Sequence, residues 1–127
     1  MRLLLDSNII IDAAAGEPPA VKVLQQACEA EWAGISAITR LEVFGYPGLQ
    51  PKEEEVLAAI LSVLDEISVD SDVITRAIQI RRTGRTKVPD AIIAATALEQ
   101  QALIATRNEQ GFNGIEDLKV LNPWDEK

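Results

Sequence analysis

Apolar runs too short for a helix alternate along this chain with segments whose apolar residues recur every three to four positions. Arg2–Leu5, Trp32–Ser36, Ile67–Val69, Leu103–Thr106 and Lys119–Leu121 have strand length. Helical patterns lie between them. Asn8–Ala15 is ended by Gly16, Pro18 and Pro19. A second runs from Ala20 to Ala30, and a third from Ile38 to Phe44, stopped by Gly45, Pro47, Gly48 and Pro51. Val56–Leu64 follows an acidic lead-in, Glu53 to Glu55, suited to a helix N-terminus. Asp72–Arg82 is broken by Gly84. Pro89 then suits the first position of a last helix, through Ala91 to Gln101, apolar over most of its circumference and so expected to be buried. Short strands alternating with helices imply an α/β chain: a mainly parallel five-stranded sheet covered on both faces. A length of 127 residues, without repeat or linker, suits one domain over 1–127.

Parallel sheets bind ligands beyond the carboxyl ends of their strands, where the strand order reverses. Asp6 follows the first strand directly in RLLLDSNIII, and Arg107 and Asn108 follow the strand LIAT. The chain has no histidine, so Ser-His-Asp, Cys-His and His-ligated metal chemistry are excluded. Cys28 stands alone, which excludes an internal disulfide and a thiolate zinc site. It is expected to be a part-buried structural residue. Carboxylates, amides, hydroxyls, Lys and Arg remain, and they favour hard cations such as Mg2+ or Mn2+. A net charge of −8 argues against nucleic-acid binding, unless several acids converge on a cation that inverts the local field.

Asp6, Glu42 and Asp90 each fall at a strand end or in the opening turns of a helix. Singly, each has a structural explanation. Asp6 or Ser7 suits an N-cap, Thr39 to Glu42 fits a capping box, and Asp90 suits a first helical turn. Together on one sheet edge they would repel one another and call for a divalent cation.

The segments LLLDSNIIID, ISAITRLEVFGYPG, KVPDAIIAATALEQQALIATRNEQGF and VLNPW resemble the successive motifs of PIN-domain ribonucleases. The resemblance is strongest to VapC-type toxins of toxin–antitoxin pairs. It covers nearly the whole chain and implies an α/β/α sandwich whose acidic cluster holds Mg2+ or Mn2+ to hydrolyse RNA. Carried over, the acids are Asp6, Glu42 and Asp90, with Asn108 at a fourth position that is often acidic. Glu109 is an alternative there. Ser7 and Asn8 are expected to orient Asp6, Thr39 to support Glu42, and Thr106 to support Asn108. An antitoxin partner and a homodimer are also implied. Val21–Cys28 and Val56–Leu64 are apolar faces available for either, or for the chain's own core.

RNA contacts are expected from the basic segment RRTGRTK, with Arg81, Arg82, Arg85 and Lys87, and from Arg40 and Arg107 beside the proposed acids. The bland alternative is a solvated helix end. Trp124 is expected to anchor the last strand. The apolar runs are too short to span a bilayer, and Arg2 with three apolar residues does not read as a signal peptide; a cytoplasmic protein is expected. The rival class is a catalytically weakened PIN-like module that binds RNA or protein, supported by Asn108. A haloacid dehalogenase-type phosphotransferase would want an acid where Asn8 stands. A receiver-like domain would want paired acids before Asp6, and Arg2–Leu5 offers none.

Overall fold

The computed structural model describes residues 1–125. The elements are β1 (Arg2–Leu5), α1 (Ser7–Ala14), α2 (Pro18–Glu29), β2 (Trp32–Ser36), α3 (Ala37–Phe44), α4 (Pro51–Leu61), β3 (Asp65–Ile67), α5 (Ser71–Arg82), α6 (Val88–Glu99), β4 (Leu103–Ala105) and β5 (Val120–Leu121). A 3-10 turn at Glu109–Phe112 follows β4. The strands lie in the order β3-β2-β1-β4-β5, and every neighbouring pair is parallel.

Side-chain alternation along β1 divides the interior into two layers. Leu3 and Leu5 face Ile9, Ile10, Val23, Val43 and Leu57 of α1 to α4. Leu4 faces Val73, Ile80, Ile93 and Ala94 of α5 and α6. Such two-sided burial is why β1 is a run of leucines rather than an alternating strand. Right-handed crossovers require this division. The chain moves outward from β1 through β2 to β3, with α1 to α4 on one face. It then returns past β1 to β4, and α5 and α6 cover the other. The reversal point is the pair β1 and β4, at whose carboxyl ends Asp6 and Thr106 stand.

α6 carries the alanines that let it lie close to the sheet and to α5; Ala91, Ile93, Ala94, Ala95, Thr96 and Ala97 are buried. Arg76 Nε meets Glu99 Oε2 at 2.5 Å and ties α5 to α6. A Schellman closure ends α6: Ala102 N–H donates to Ala97 O at 2.9 Å, with Gln101 left-handed at φ 53°. This tight exit feeds β4 straight back into the sheet.

Four expectations shift. The third strand is Asp65–Ile67 rather than Ile67–Val69. It is an edge strand whose exposed acids carry no apolar signature, and Trp32 Nε1–H donates to Asp65 Oδ2 at 2.8 Å, fixing its start against β2. Val69 packs instead with the α5–α6 layer. The fourth helix starts at Pro51 and ends at Leu61, because Glu53 and Glu54 occupy its first turn. Lys87 caps α6, so Val88 opens it and Pro89 comes second. Cys28 is exposed, not part-buried. α2 buries Ala20, Val23 and Ala27, and position 28 is turned about 100° from Ala27. Trp124 packs against the layer that holds Leu3 and Leu5. No helix among the described residues is long and apolar enough to cross a membrane.

The layering predicts how core truncations behave. Leu4→Ala leaves a void between β1 and α6 and lowers stability by about 2–5 kcal/mol. Leu41→Ala, at a side chain 70% exposed, changes it by less than ~0.5 kcal/mol. Urea unfolding of the two variants separates these outcomes.

Candidate active site

The end of β1 is locked to the end of β4. Asp6 N–H donates to Ala105 O at 3.0 Å, continuing the sheet by one residue. Asp6 then caps α1, its Oδ1 accepting from Ser7 N–H at 2.8 Å. Its other oxygen, Oδ2, accepts from Thr106 Oγ1 at 2.7 Å and from Asn8 Nδ2 at 3.2 Å. Asp6 is 6% exposed and both oxygens are engaged. Asn8 also reaches Thr106 Oγ1 at 3.2 Å, and its Oδ1 accepts from Arg107 N–H at 3.0 Å. Thr106 Oγ1 in turn accepts from Asn108 N–H at 3.0 Å. Asp6 is thus a cap and a member of a rigid polar network at once.

Glu42 comes from the last turn of α3. Its Oε1 accepts from Ser7 Oγ at 2.5 Å, so Ser7 orients Glu42 while its backbone serves Asp6. The capping box is not formed. Ser36 caps α3, with its Oγ accepting from Ile38 N–H at 3.3 Å. Thr39 lies inside the helix, fully buried, and its hydroxyl has no hydrogen-bond partner, Glu42 included.

Asp90 stands in the first turn of α6, half-buried. With Arg85, Lys87 and Asn108 it lines a cavity of about 360 Å³. Gly111 closes the floor: a Cβ added there would lie 2.6 Å from Asn108 Nδ2 and 2.8 Å from Asp90 Oδ2. Only a residue without a side chain lets these two groups approach that turn. Asn108 caps the 3-10 turn, its Oδ1 accepting from Gly111 N–H at 3.3 Å. Gly111 was not singled out from the sequence; its one signal is a glycine in a polar turn just past the strand LIAT. Glu109 is exposed at the start of that turn. The charges that raise Asp6 come from Asp90 and Glu42, not from Glu109.

The three acids feel one another. Burial pushes the Asp6 carboxyl above its ordinary range against the lowering effect of Thr106 and Ser7, and Asp90 and Glu42 push it further. Burial also raises Asp90, followed by repulsion from Glu42, while Lys87 lowers it. Yet among the described residues no group of three His, Cys, Asp or Glu side chains forms a metal cage. Hard oxygen donors under mutual repulsion fit a cation that keeps most of its waters, as Mg2+ does with one or two carboxylates. They do not fit an all-protein cage.

Two of the arginines expected to meet RNA are engaged elsewhere. Arg40 pairs with Glu66, at 2.6 Å through Nε. Arg107 reaches Asp12 at 3.3 Å and lies 4.6 Å from the Trp124 ring centre. Arg81 Nε donates to Thr86 O at 3.1 Å and shapes the basic loop.

A model of the PIN domain matches residues 3–118. The chain belongs to the PIN-domain family. Its fold is similar to that of a toxin–antitoxin complex from Klebsiella pneumoniae, at 31% identity and TM-score 0.82 over 98% of this chain and 99% of that one. FitAcB from Neisseria gonorrhoeae matches at 28% identity and TM-score 0.78, over 98% and 99%. VapBC2 from Rickettsia felis, bound to a promoter DNA fragment, matches at 21% and 0.81, over 96% and 98%, and so shares the fold. A comparison with curated proteins gave no match.

The raised carboxyls of this PIN domain set a pH dependence. Asp6 and Asp90 bind protons more readily folded than unfolded. The folded state therefore gains relative stability as pH falls through their raised values toward the ordinary carboxylate range, and that gain is absent above them. In metal-free protein, Asp90→Asn is expected to raise the thermal midpoint at neutral pH by removing one repelling charge. The difference should shrink as pH approaches ~4. Melting curves across that range check it, and a lower midpoint for the variant at neutral pH would contradict it.

Proposed function

We propose that this PIN domain is the toxin of a toxin–antitoxin pair, an endoribonuclease that uses Mg2+ or Mn2+ to hydrolyse RNA phosphodiesters. The single observation that carries the reading is geometric: at the reversal point of a parallel sheet Ser7 bonds both Asp6 and Glu42, and Asn108, tied to Asp6 through Thr106, meets Asp90 over Gly111. The likeness to a toxin–antitoxin complex at 31% identity supports the biological role. It also supports an antitoxin protein as partner. A homodimer is part of the same proposal.

The residues divide the work by how tightly they are held. Asp6, with both oxygens bonded and almost no exposure, is a fixed point charge that positions the cation. Glu42 is held from one side by Ser7 and faces the same field. A bound divalent cation supplies positive charge against the phosphate and acidifies water. Asp90 makes no hydrogen bond through its side chain and sits at the cavity mouth with a raised affinity for protons. It is the base: it takes the proton from the attacking water as the phosphorus–oxygen bond to the leaving group breaks. The leaving oxygen takes its proton from solvent, and no covalent enzyme intermediate forms. Arg85 and Lys87, from the same cavity, meet the phosphate charge. Asn108 spends its oxygen on the Gly111 N–H and presents an uncharged amide where an acid is common in the family.

A second reading, a PIN module with a weakened metal site that binds without cutting, is favoured by Asn108 and by the open carboxylate set. Calorimetric titration with Mn2+ separates the two: binding below millimolar supports the nuclease, and none supports the module.

RNA cleavage by the purified protein should require Mn2+ and stop with EDTA. Asp90→Asn should lower it by about 10²-fold or more, and undiminished activity would remove Asp90 from the mechanism. Gly111→Ala tests the floor of the site. The backbone there accepts alanine, so the fold is expected to survive while Asp90 and Asn108 are displaced and cleavage falls at least tenfold. Replacing Arg85 and Lys87 together by Ala should reduce the salt dependence of RNA binding by about 1–2 in log–log slope.

A further inference from the structure

The cavity that Asp90 overlooks has more polar walls than the hydrolytic step uses. Arg85, Thr86 and Lys87 form one wall, before α6. Gln110 and Asn113 form the other, in and just after the 3-10 turn. Both amides are exposed, and their side chains make no hydrogen bond among the described residues. Among the described residues Arg85 and Lys87 form no hydrogen bond or ion pair, and the Lys87 charge is felt at Asp90. Arg40, Arg107 and Arg76, by contrast, are paired with Glu66, Asp12 and Glu99. Two free cations facing two free amides across 360 Å³ is the composition of a site for a ligand with a phosphate at one side and a hydrogen-bonding heterocycle at the other.

We propose that this cavity seats the nucleotide adjoining the scissile phosphate, and that Gln110 and Asn113 read its base. The proposal rests on the nuclease reading above and adds to it a source of sequence selectivity. Three features favour one nucleotide over a longer track. The volume matches a single unstacked nucleotide rather than a duplex segment. The next hollow, beyond the shared Thr86 and Asn113, is lined by Glu116 and Asp117 and by Arg76, whose charge Glu99 already meets, so its net negative charge repels a continuing phosphate chain. And Asp90 lies in the wall, so a phosphate held by Arg85 and Lys87 is placed next to the base that activates water.

Amides are suited to the task. Each presents one donor and one acceptor, the pattern that pairs bidentately with the edge of a splayed base. Sequence-specific recognition of RNA works largely on such unstacked bases. No aromatic ring lines the cavity, so the planar guanidinium of Arg85 is the stacking surface available. The placement also separates two roles that are often merged: the cations hold without discriminating, and the amides discriminate while adding little affinity.

The test uses short single-stranded RNAs randomised one position at a time. Binding is measured by fluorescence anisotropy on Asp90→Asn protein, so that it does not depend on cleavage. The Asp90→Asn protein is expected to prefer one base at a single position by about tenfold. Adding Gln110→Ala and Asn113→Ala should flatten that preference toward one, with the salt slope unchanged. Adding Arg85→Ala and Lys87→Ala instead should reduce the slope and keep the preference. A preference that survives removal of both amides, or an Asp90→Asn protein with no preference at any position, overturns the base subsite. The same amide replacements in otherwise unaltered protein give the cleavage readout. If that protein cuts RNA and its cut-site preference is indifferent to the amides, the subsite falls and the nuclease stands. If the unaltered protein cuts no RNA with Mn2+ while RNA binding shows an amide-dependent preference, the nuclease falls and the subsite stands.

Discussion

One hydroxyl ties the working end of this molecule together. Thr106 Oγ1 donates to Asp6 Oδ2 and accepts from both Asn8 Nδ2 and the Asn108 backbone N–H. It therefore fixes the buried acid, the first turn of α1 and the start of the 3-10 turn relative to one another. The threonine is fully buried, and within a low-dielectric interior such bonds are strong and an unmade one is costly. The direction of Asp6, the departure of the chain from β4, and the approach of Gly111 to Asp90 all follow from this junction. The sheet supplies the platform by pairing Leu5 with Ala105, and Thr106 converts that pairing into a site.

The electrostatics run against stability. A chain of net charge −8 gathers three acids at one sheet edge, and at two of them, Asp6 and Asp90, burial and repulsion both oppose ionisation. A few acids elsewhere are neutralised locally, as Glu66, Glu99 and Asp12 are by Arg40, Arg76 and Arg107. Exposed pairs of this kind contribute little to folding. Their consequence here is that the cations they occupy are withdrawn from the surface field, which leaves Arg85 and Lys87 as the positive charge nearest Asp90. The overall charge of the chain is thus a poor guide to what it binds, because the field at the cavity is set within one Debye length, about 8–10 Å.

Strand–helix alternation made the parallel sheet legible, and the leucine run of β1 located its centre. The positions of Asp6 and Asn108 followed from the rule about carboxyl ends. What periodicity missed was whatever had no apolar signature. β3 is acidic because it is an edge, and its boundary is set by the Trp32 contact. Cys28 faces outward because one helical step of rotation decides burial, and the apolar positions of α2 constrain that rotation only loosely. The Thr39 to Glu42 spacing has the form of a capping box, but a helix has one cap, and Ser36 took it three residues earlier. Arg40 and Arg107 sit beside site residues in sequence, yet their side chains extend far enough to meet acids on other elements. Gly111 was illegible because its meaning is the absence of an atom between Asp90 and Asn108, which no linear pattern displays.

Asn108 illustrates how the departure from an acid is tied to the local fold. Its Oδ1 accepts from Gly111 N–H, and that requirement decides which way the amide faces. The Nδ2 group is the part that lies against the Gly111 α-carbon, on the side of Asp90 Oδ2. An aspartate in its place would cap the turn equally well but would set a fourth negative charge beside a carboxyl that burial and Glu42 already push upward. The amide keeps the cap and gives a donor in place of that charge. On the nuclease reading proposed above, three carboxylates would share the site, and more of a cation's coordination would have to come from water and from the substrate's own phosphate. In such a site the cation and the phosphate bind better together than apart, because each supplies what the other lacks.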